Sequence, residues 1–206
     1  MPASPNTALG ALLMVVCMSI LGLIDNYVGI IAENAGLWQF HFVRSAMVCS
    51  ALLVLSLLYG WRIRPRNWRG VAVRSIFGAI SMAVYFGALA FMPIAQVGAG
   101  LFTAPLFVLL FSVLFFEERI GVWRVVASVI GFCGVTMVLK LDVTALQFVM
   151  VFPMLAGITW AMTALSTQYL CDGEDTVTLL FWFFFALGVL GVIGLCLMAF
   201  GMDDGR

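Results

Sequence analysis

Charge is what this chain has least of. Charged residues make up 10% of its 206 positions, against roughly 25% in a soluble domain, too few to clothe a water-exposed surface. Histidine occurs once, as His41, which excludes a multi-histidine metal site. There is no phosphate-cradling glycine loop, no His-x-x-x-His pair and no nucleophile elbow. No catalytic residue, resident metal or cofactor is therefore expected. The five cysteines, Cys17, Cys49, Cys133, Cys171 and Cys196, show neither metal spacing nor a disulfide framework, and packing is their expected role. Residues 1–7 lack Lys and Arg, and the apolar run after them is longer than a signal-peptide core, without a clear cleavage site. It is read as a retained first helix.

What the chain has in quantity is apolar sequence: 64% hydrophobic residues and a mean hydropathy of +1.15. A helix needs about 20 apolar residues to cross the hydrocarbon core, and that ruler gives seven spans, at 8–31, 37–59, 70–92, 94–116, 121–140, 146–170 and 176–201. The runs are continuous, whereas barrel strands alternate over shorter lengths, and backbone groups in lipid must be satisfied within the segment. The expected fold class is all-α, a polytopic transmembrane helix bundle. Arg62, Arg64, Arg66 and Arg69 crowd one loop, and Lys and Arg are retained on the cytoplasmic side. These four residues set the expected topology: a multi-pass protein of the bacterial inner (plasma) membrane with a cytoplasmic N-terminus. Because topology accounts for the basic cluster, the expected partner is the lipid bilayer and not nucleic acid.

Thr144-Ala145-Leu146 repeats Thr7-Ala8-Leu9 just after five spans. An odd number of spans per repeat inverts the second copy, a common plan in secondary transporters. Around this pattern stand Asn26 in the first span, Phe42-x-Arg44 in the second, Pro105 in the fourth, Glu118-Arg119 at its end and a glycine run in the fifth. That run is shortened here to Gly131-Phe132-Cys133-Gly134-Val135. The stretch from Gly157 to Ser166 resembles the opening helix of a second repeat. In order and spacing these features resemble the EamA-type drug/metabolite transporters, over almost the whole chain, with Leu23 standing where the family often has Trp. The resemblance implies ten helices in two five-helix repeats. Residues 1–141 would form the first, residues 142–206 the first two helices of an inverted second, and three more helices would be expected beyond Arg206.

Polar side chains at membrane depth are costly and mark candidate sites. Asp25 and Asn26 could hold a substrate amine or a proton, or Asp25 could pair with Arg44. His41 and Arg44, three apart, share a face of the second span. Arg44 could take a substrate carboxylate bidentately or tie two helices together. Tyr85, Gln96, Thr103 and Trp160 could line a cavity or simply pack, and Pro105 could kink its helix to expose a carbonyl. The expected function is an alternating-access carrier. The resemblance implies a small-molecule substrate, a small polar or amphipathic cargo, amino-acid-like or drug-like, moved outward. The alternative is a non-transporting truncated remnant or a membrane assembly partner. A homo-oligomer or a partner chain would then complete the bundle.

Overall fold

A computed structural model describes residues 9–17, 19, 20, 22, 23, 36–89, 92–117, 121–138 and 151–201. They are helices, turns and short connections, with no strand among the described residues. The chain divides into two compact units, Met1–Gly36 and Leu37–Arg206. In the first, residues 9–17, 19, 20, 22 and 23 are helical (α1), and the Ser19 hydroxyl donates to the Val15 carbonyl one turn back (2.8 Å). Asp25 and Asn26 lie outside the described residues, and so does the Asp25–Arg44 pair expected from the sequence.

The second unit contains α2 (Leu37–Tyr59), α3 (Trp68–Leu89), α4 (Ile94–Leu101), α5 (Ala104–Phe116), α6 (Val122–Val138), α7 (Val151–Leu170) and α8 (Thr176–Gly201). Four stretches among the described residues are long and apolar enough to cross a membrane: Leu37–Tyr59, Trp68–Leu89, Gln96–Phe116 and Thr176–Ala199. The chain is thus a multi-pass membrane protein with an all-helical fold.

The span expected over 94–116 is present as Gln96–Phe116, but its helix is interrupted. It is two helices, α4 and α5, joined by a turn at Phe102–Thr103. Pro105 has no N–H, so the Leu101 carbonyl loses its helical donor. The backbone tightens in response: Thr103 N–H bonds to Gly100 O (3.1 Å) and Leu106 N–H to Thr103 O (3.0 Å), both one residue short of the α-helical reach. The Thr103 hydroxyl adds a bond to Gly100 O (2.5 Å).

That break packs on α7. A Cβ at Gly157 would sit 2.5 Å from both the Gly100 carbonyl oxygen and Thr103 Oγ1, so only glycine lets the two backbones meet there. α7 touches α3, α4 and α5, while α8 packs on α2 and α3. α7 is rich in hydroxyls, and its three threonines donate theirs to their own helix. Thr159 bonds to Leu155 O (2.7 Å), Thr163 to Thr159 O (2.9 Å) and Thr167 to Thr163 O (2.7 Å), each one turn back. Its most direct tie to α3 at mid-depth is the Ser81 hydroxyl bonded to Ala156 O (2.8 Å).

At one end of the bundle the basic α2–α3 loop is fastened to the acidic α7–α8 loop. The Glu174 carboxylate accepts from the backbone N–H of Arg66 (2.6 Å) and Asn67 (2.5 Å), capping the start of α3 from a distant part of the chain. Asn67 accepts from Gly70 N–H (3.3 Å), the N-cap geometry, and its amide donates to Leu170 O (2.8 Å). The Thr178 hydroxyl donates to Arg62 O (2.7 Å) and the Trp182 indole to Ile63 O (3.0 Å). Arg74 bonds to Thr167 Oγ1 (2.8 Å) and to Leu179 O (3.0 Å). Cys171 is buried in the same loop cluster. Burial pushes its thiol up, Arg74 pulls it back and Glu174 adds to the rise, so it stays a protonated, unreactive thiol at neutral pH.

Glu174→Ala should cost about 1–2 kcal/mol, the loss of a cap. It should appear as a lower unfolding temperature in detergent, followed through the fluorescence of Trp68 and Trp182. An unchanged transition would mean that water replaces the carboxylate without loss.

Candidate functional site

Two buried polar side chains and a cation share one face of α2. Spacing of three and four along a helix puts His41, Arg44 and Ser45 side by side. His41 is 1% exposed, and neither ring nitrogen has a hydrogen-bond partner among the described residues. Its ring meets Phe86 of α3 edge-on, with centroids 5.1 Å apart, and Phe40 at 5.6 Å. Tyr85 stands edge-on to its chain neighbour Phe86 at 5.2 Å.

Arg44 lies under the same wall. Its guanidinium carbon is 5.2 Å from the Phe184 ring, 5.7 Å from Phe86 and 5.9 Å from Phe40, so three helices contribute aromatic faces to one cation. Ser45, one turn from His41, is buried with its hydroxyl likewise unpartnered. Burying polar atoms without partners is expensive. A face that keeps His41 and Ser45 in that state can offer hydrogen bonds to a guest, beside a cation that prefers planar or carboxylate groups.

The other candidates collect elsewhere. Pro105 and Trp160 line a cavity of about 550 Å³ together with Phe102, Val108, Arg124 and Ser128. Thr103 is buried behind it, against Gly157. Gln96 is half-buried in the first turn of α4, its backbone N–H bonded to Pro93 O (2.9 Å). Of the sequence candidates, His41 and Arg44 sit together on α2, and Pro105 and Trp160 line the cavity beside the α4–α5 break with Thr103 next to it, while Tyr85 is buried on α3 beside Phe86 and Gln96 lies in the first turn of α4. Sequence reading missed Ser45, Phe86 and Phe184. Ser45 was within reach, since it lies one turn from His41; the two phenylalanines carry no local signal. Among the described residues no group of three or more His, Cys, Asp or Glu could hold a metal ion.

The EamA-like transporter family matches residues 8–140 of the chain. The chain is 27% identical over 151 residues to a riboflavin transporter of Rhizobium johnstonii, covering 73% of this chain and 49% of the relative. To the pseudopaline exporter CntI of Pseudomonas aeruginosa it is 26% identical, over 78% of this chain and 56% of the relative. A similar 26% links it to an S-adenosylmethionine uptake transporter of Rickettsia bellii, over 83% of this chain and 58% of the relative. The chain thus spans about half the length of the first of these curated relatives. No solved structure matches it significantly. With a family match across most of the chain and an all-helical, membrane-spanning fold beneath it, the chain belongs to the EamA-like transporter family.

Proposed function

We propose that this chain carries a small polar or amphipathic metabolite across the bacterial inner membrane by alternating access, and that it is not an enzyme. The observation that supports this most is the His41–Arg44–Ser45 face of α2. It holds two unpartnered polar side chains and a cation inside an aromatic wall, in a family of transporters. Arg44 binds a carboxylate or a planar ring of the cargo, His41 and Ser45 supply hydrogen bonds, and Phe86 and Phe184 cover its apolar part. Asp25 and Asn26 enter the proposal from the sequence alone. The cavity at the α4–α5 break, with Pro105 and Trp160, serves as a second stretch of the pathway. The names of the relatives include both an exporter and an uptake transporter. Outward movement is the direction we assign here.

The repeat organisation belongs to the same proposal, with residues 1–141 as one repeat and 142–206 as the start of its inverted copy. Its support is the pairing of α2 with α8, the second helix of each repeat. Trp38 faces Gly194, Phe42 faces Gly191, Ser45 faces Gly188, and Cys49 Sγ lies 3.9 Å from Phe181 O, an antiparallel pairing. A two-fold axis brings equivalent elements against each other in this way. The hydrogen bonds between the Arg62–Arg69 segment and the loop after α7 support one membrane face for both. The α4–α5 pair then counts as one crossing. With the arginines inside, the N-terminus is cytoplasmic.

Counterflow in proteoliposomes tests the reading. Vesicles preloaded with unlabelled riboflavin or S-adenosylmethionine, the cargoes named for relatives, and with a panel of amino acids should take up labelled cargo saturably for at least one of them. Absence of saturable counterflow for every cargo would overturn it.

A further inference from the structure

A groove with a volume of about 310 Å³ runs between α3 and α8, and its lining residues come from those two helices. Val71, Ser75 and Ala79 form one wall; Phe185, Ala186 and Val189 form the other. It opens at the surface, where Ile76 is 54% and Phe185 47% exposed. Both walls are candidate membrane spans, which sets the opening at the depth of the acyl chains.

Three features narrow the occupant. The first is length. The groove extends from Trp68 to Ile80 along α3, about 18 Å at 1.5 Å per residue, a little over half of the roughly 30 Å hydrocarbon core. It thus serves one leaflet. The second is its closed end, where Trp68 and Trp182 meet edge-on at 4.4 Å and the Trp182 indole is bonded to Ile63 O, the pattern of an interfacial aromatic pair. The third is charge. Beyond that pair come Arg62, Arg64 and Arg66 in the loop that leads into α3 and Arg69 in its first turn, all exposed. A cluster of four basic residues beside a span is the signature of anionic headgroup recognition. Ser75 is 3% exposed, and its hydroxyl has no partner among the described residues. It gives the otherwise apolar wall one polar point.

We infer that the α3–α8 groove and the arginine loop form a site for one anionic phospholipid, with an acyl chain along Ser75 and Ala186 and the phosphate on the arginines. This inference does not depend on the cargo, because neither His41 nor Arg44 lines the groove.

The test is native mass spectrometry of the full chain in detergent, titrated with phosphatidylglycerol and with phosphatidylcholine of the same acyl chains. The expected result is a single tightly held phosphatidylglycerol. Its preference over phosphatidylcholine should fall about five-fold for each arginine removed, in Arg69→Gln and then Arg64→Gln/Arg69→Gln. Ala186→Phe, which fills the groove, should remove the bound lipid of either kind. Circular dichroism and monodisperse elution establish that each variant is folded. If the double variant fails to fold, Arg69→Gln alone carries the charge test. Equal binding of the two lipids, undisturbed by Ala186→Phe, would overturn the site in favour of ordinary belt lipid. So would a Val189→Cys thiol that refuses maleimide in detergent, because protein would then cover the groove.

Discussion

Arg44→Ala lowers saturable counterflow by about 10- to 100-fold, the expected consequence of removing a charged hydrogen-bond donor that contributes about 1.5–3 kcal/mol. The basis is position. Arg44 draws aromatic faces from α2, α3 and α8 around a single guanidinium, with His41 and Ser45 on the same helix face. Arg44→Lys keeps the charge but loses the planar fork and its fit to the rings, so its flux should fall between wild type and Arg44→Ala. Folded yield and thermal transition need measuring beside flux. If yield falls in step with flux, Arg44 is a structural clasp between helices. If flux is untouched, the α2 face is not the cargo site.

Gly157→Leu should have the largest effect on folding. Its first added carbon would already sit 2.5 Å from two oxygens, the Gly100 carbonyl and Thr103 Oγ1, and both belong to the tightened turn between α4 and α5. Neither can retreat without breaking the bonds that hold the turn. Overpacking typically costs about 1–3 kcal/mol, and more where backbone must move. The expected outcome is loss of most monodisperse protein on size exclusion. Gly131→Ala is the control: nothing lies within 4 Å of its added carbon, so yield should hold or rise slightly. Equal yields from the two variants would mean that the α4–α5 break and α7 do not meet as described.

Hydropathy made the helices legible because lipid imposes one rule on every backbone group. The second span was read as 37–59 and α2 is Leu37–Tyr59; the last was read as 176–201 and α8 is Thr176–Gly201. Where local chemistry competes with hydropathy, reading was partial. Pro105 was visible as a helix breaker, but the turn falls before it, at Phe102–Thr103, because the missing N–H is felt one turn upstream. Asn67 marked the start of α3 only in retrospect. Its partner is Glu174, and nothing local links residues that far apart in sequence. The candidate site was half legible for the same reason. A lone His and an Arg three residues later are conspicuous in an apolar helix, whereas Phe86 and Phe184, which enclose them, look like any other lipid-facing phenylalanine in the sequence.

The fastened loops have a mechanical consequence. Hydrogen bonds from Glu174, Asn67, Thr178, Trp182 and Arg74 tie α3, α7 and α8 together near one membrane face. At mid-depth the tie between α3 and α7 is the Ser81–Ala156 bond, and the threonines of α7 are turned inward on their own helix. In the proposed alternating-access cycle such an assembly is expected to pivot as a lever, with its fulcrum at the loop end. A helix of 20 residues is about 30 Å long, so a tilt of about 10° displaces its free end by about 5 Å. In the proposed transport cycle the expected motion is therefore at the far side of the bundle, with the arginine loop as the fixed end.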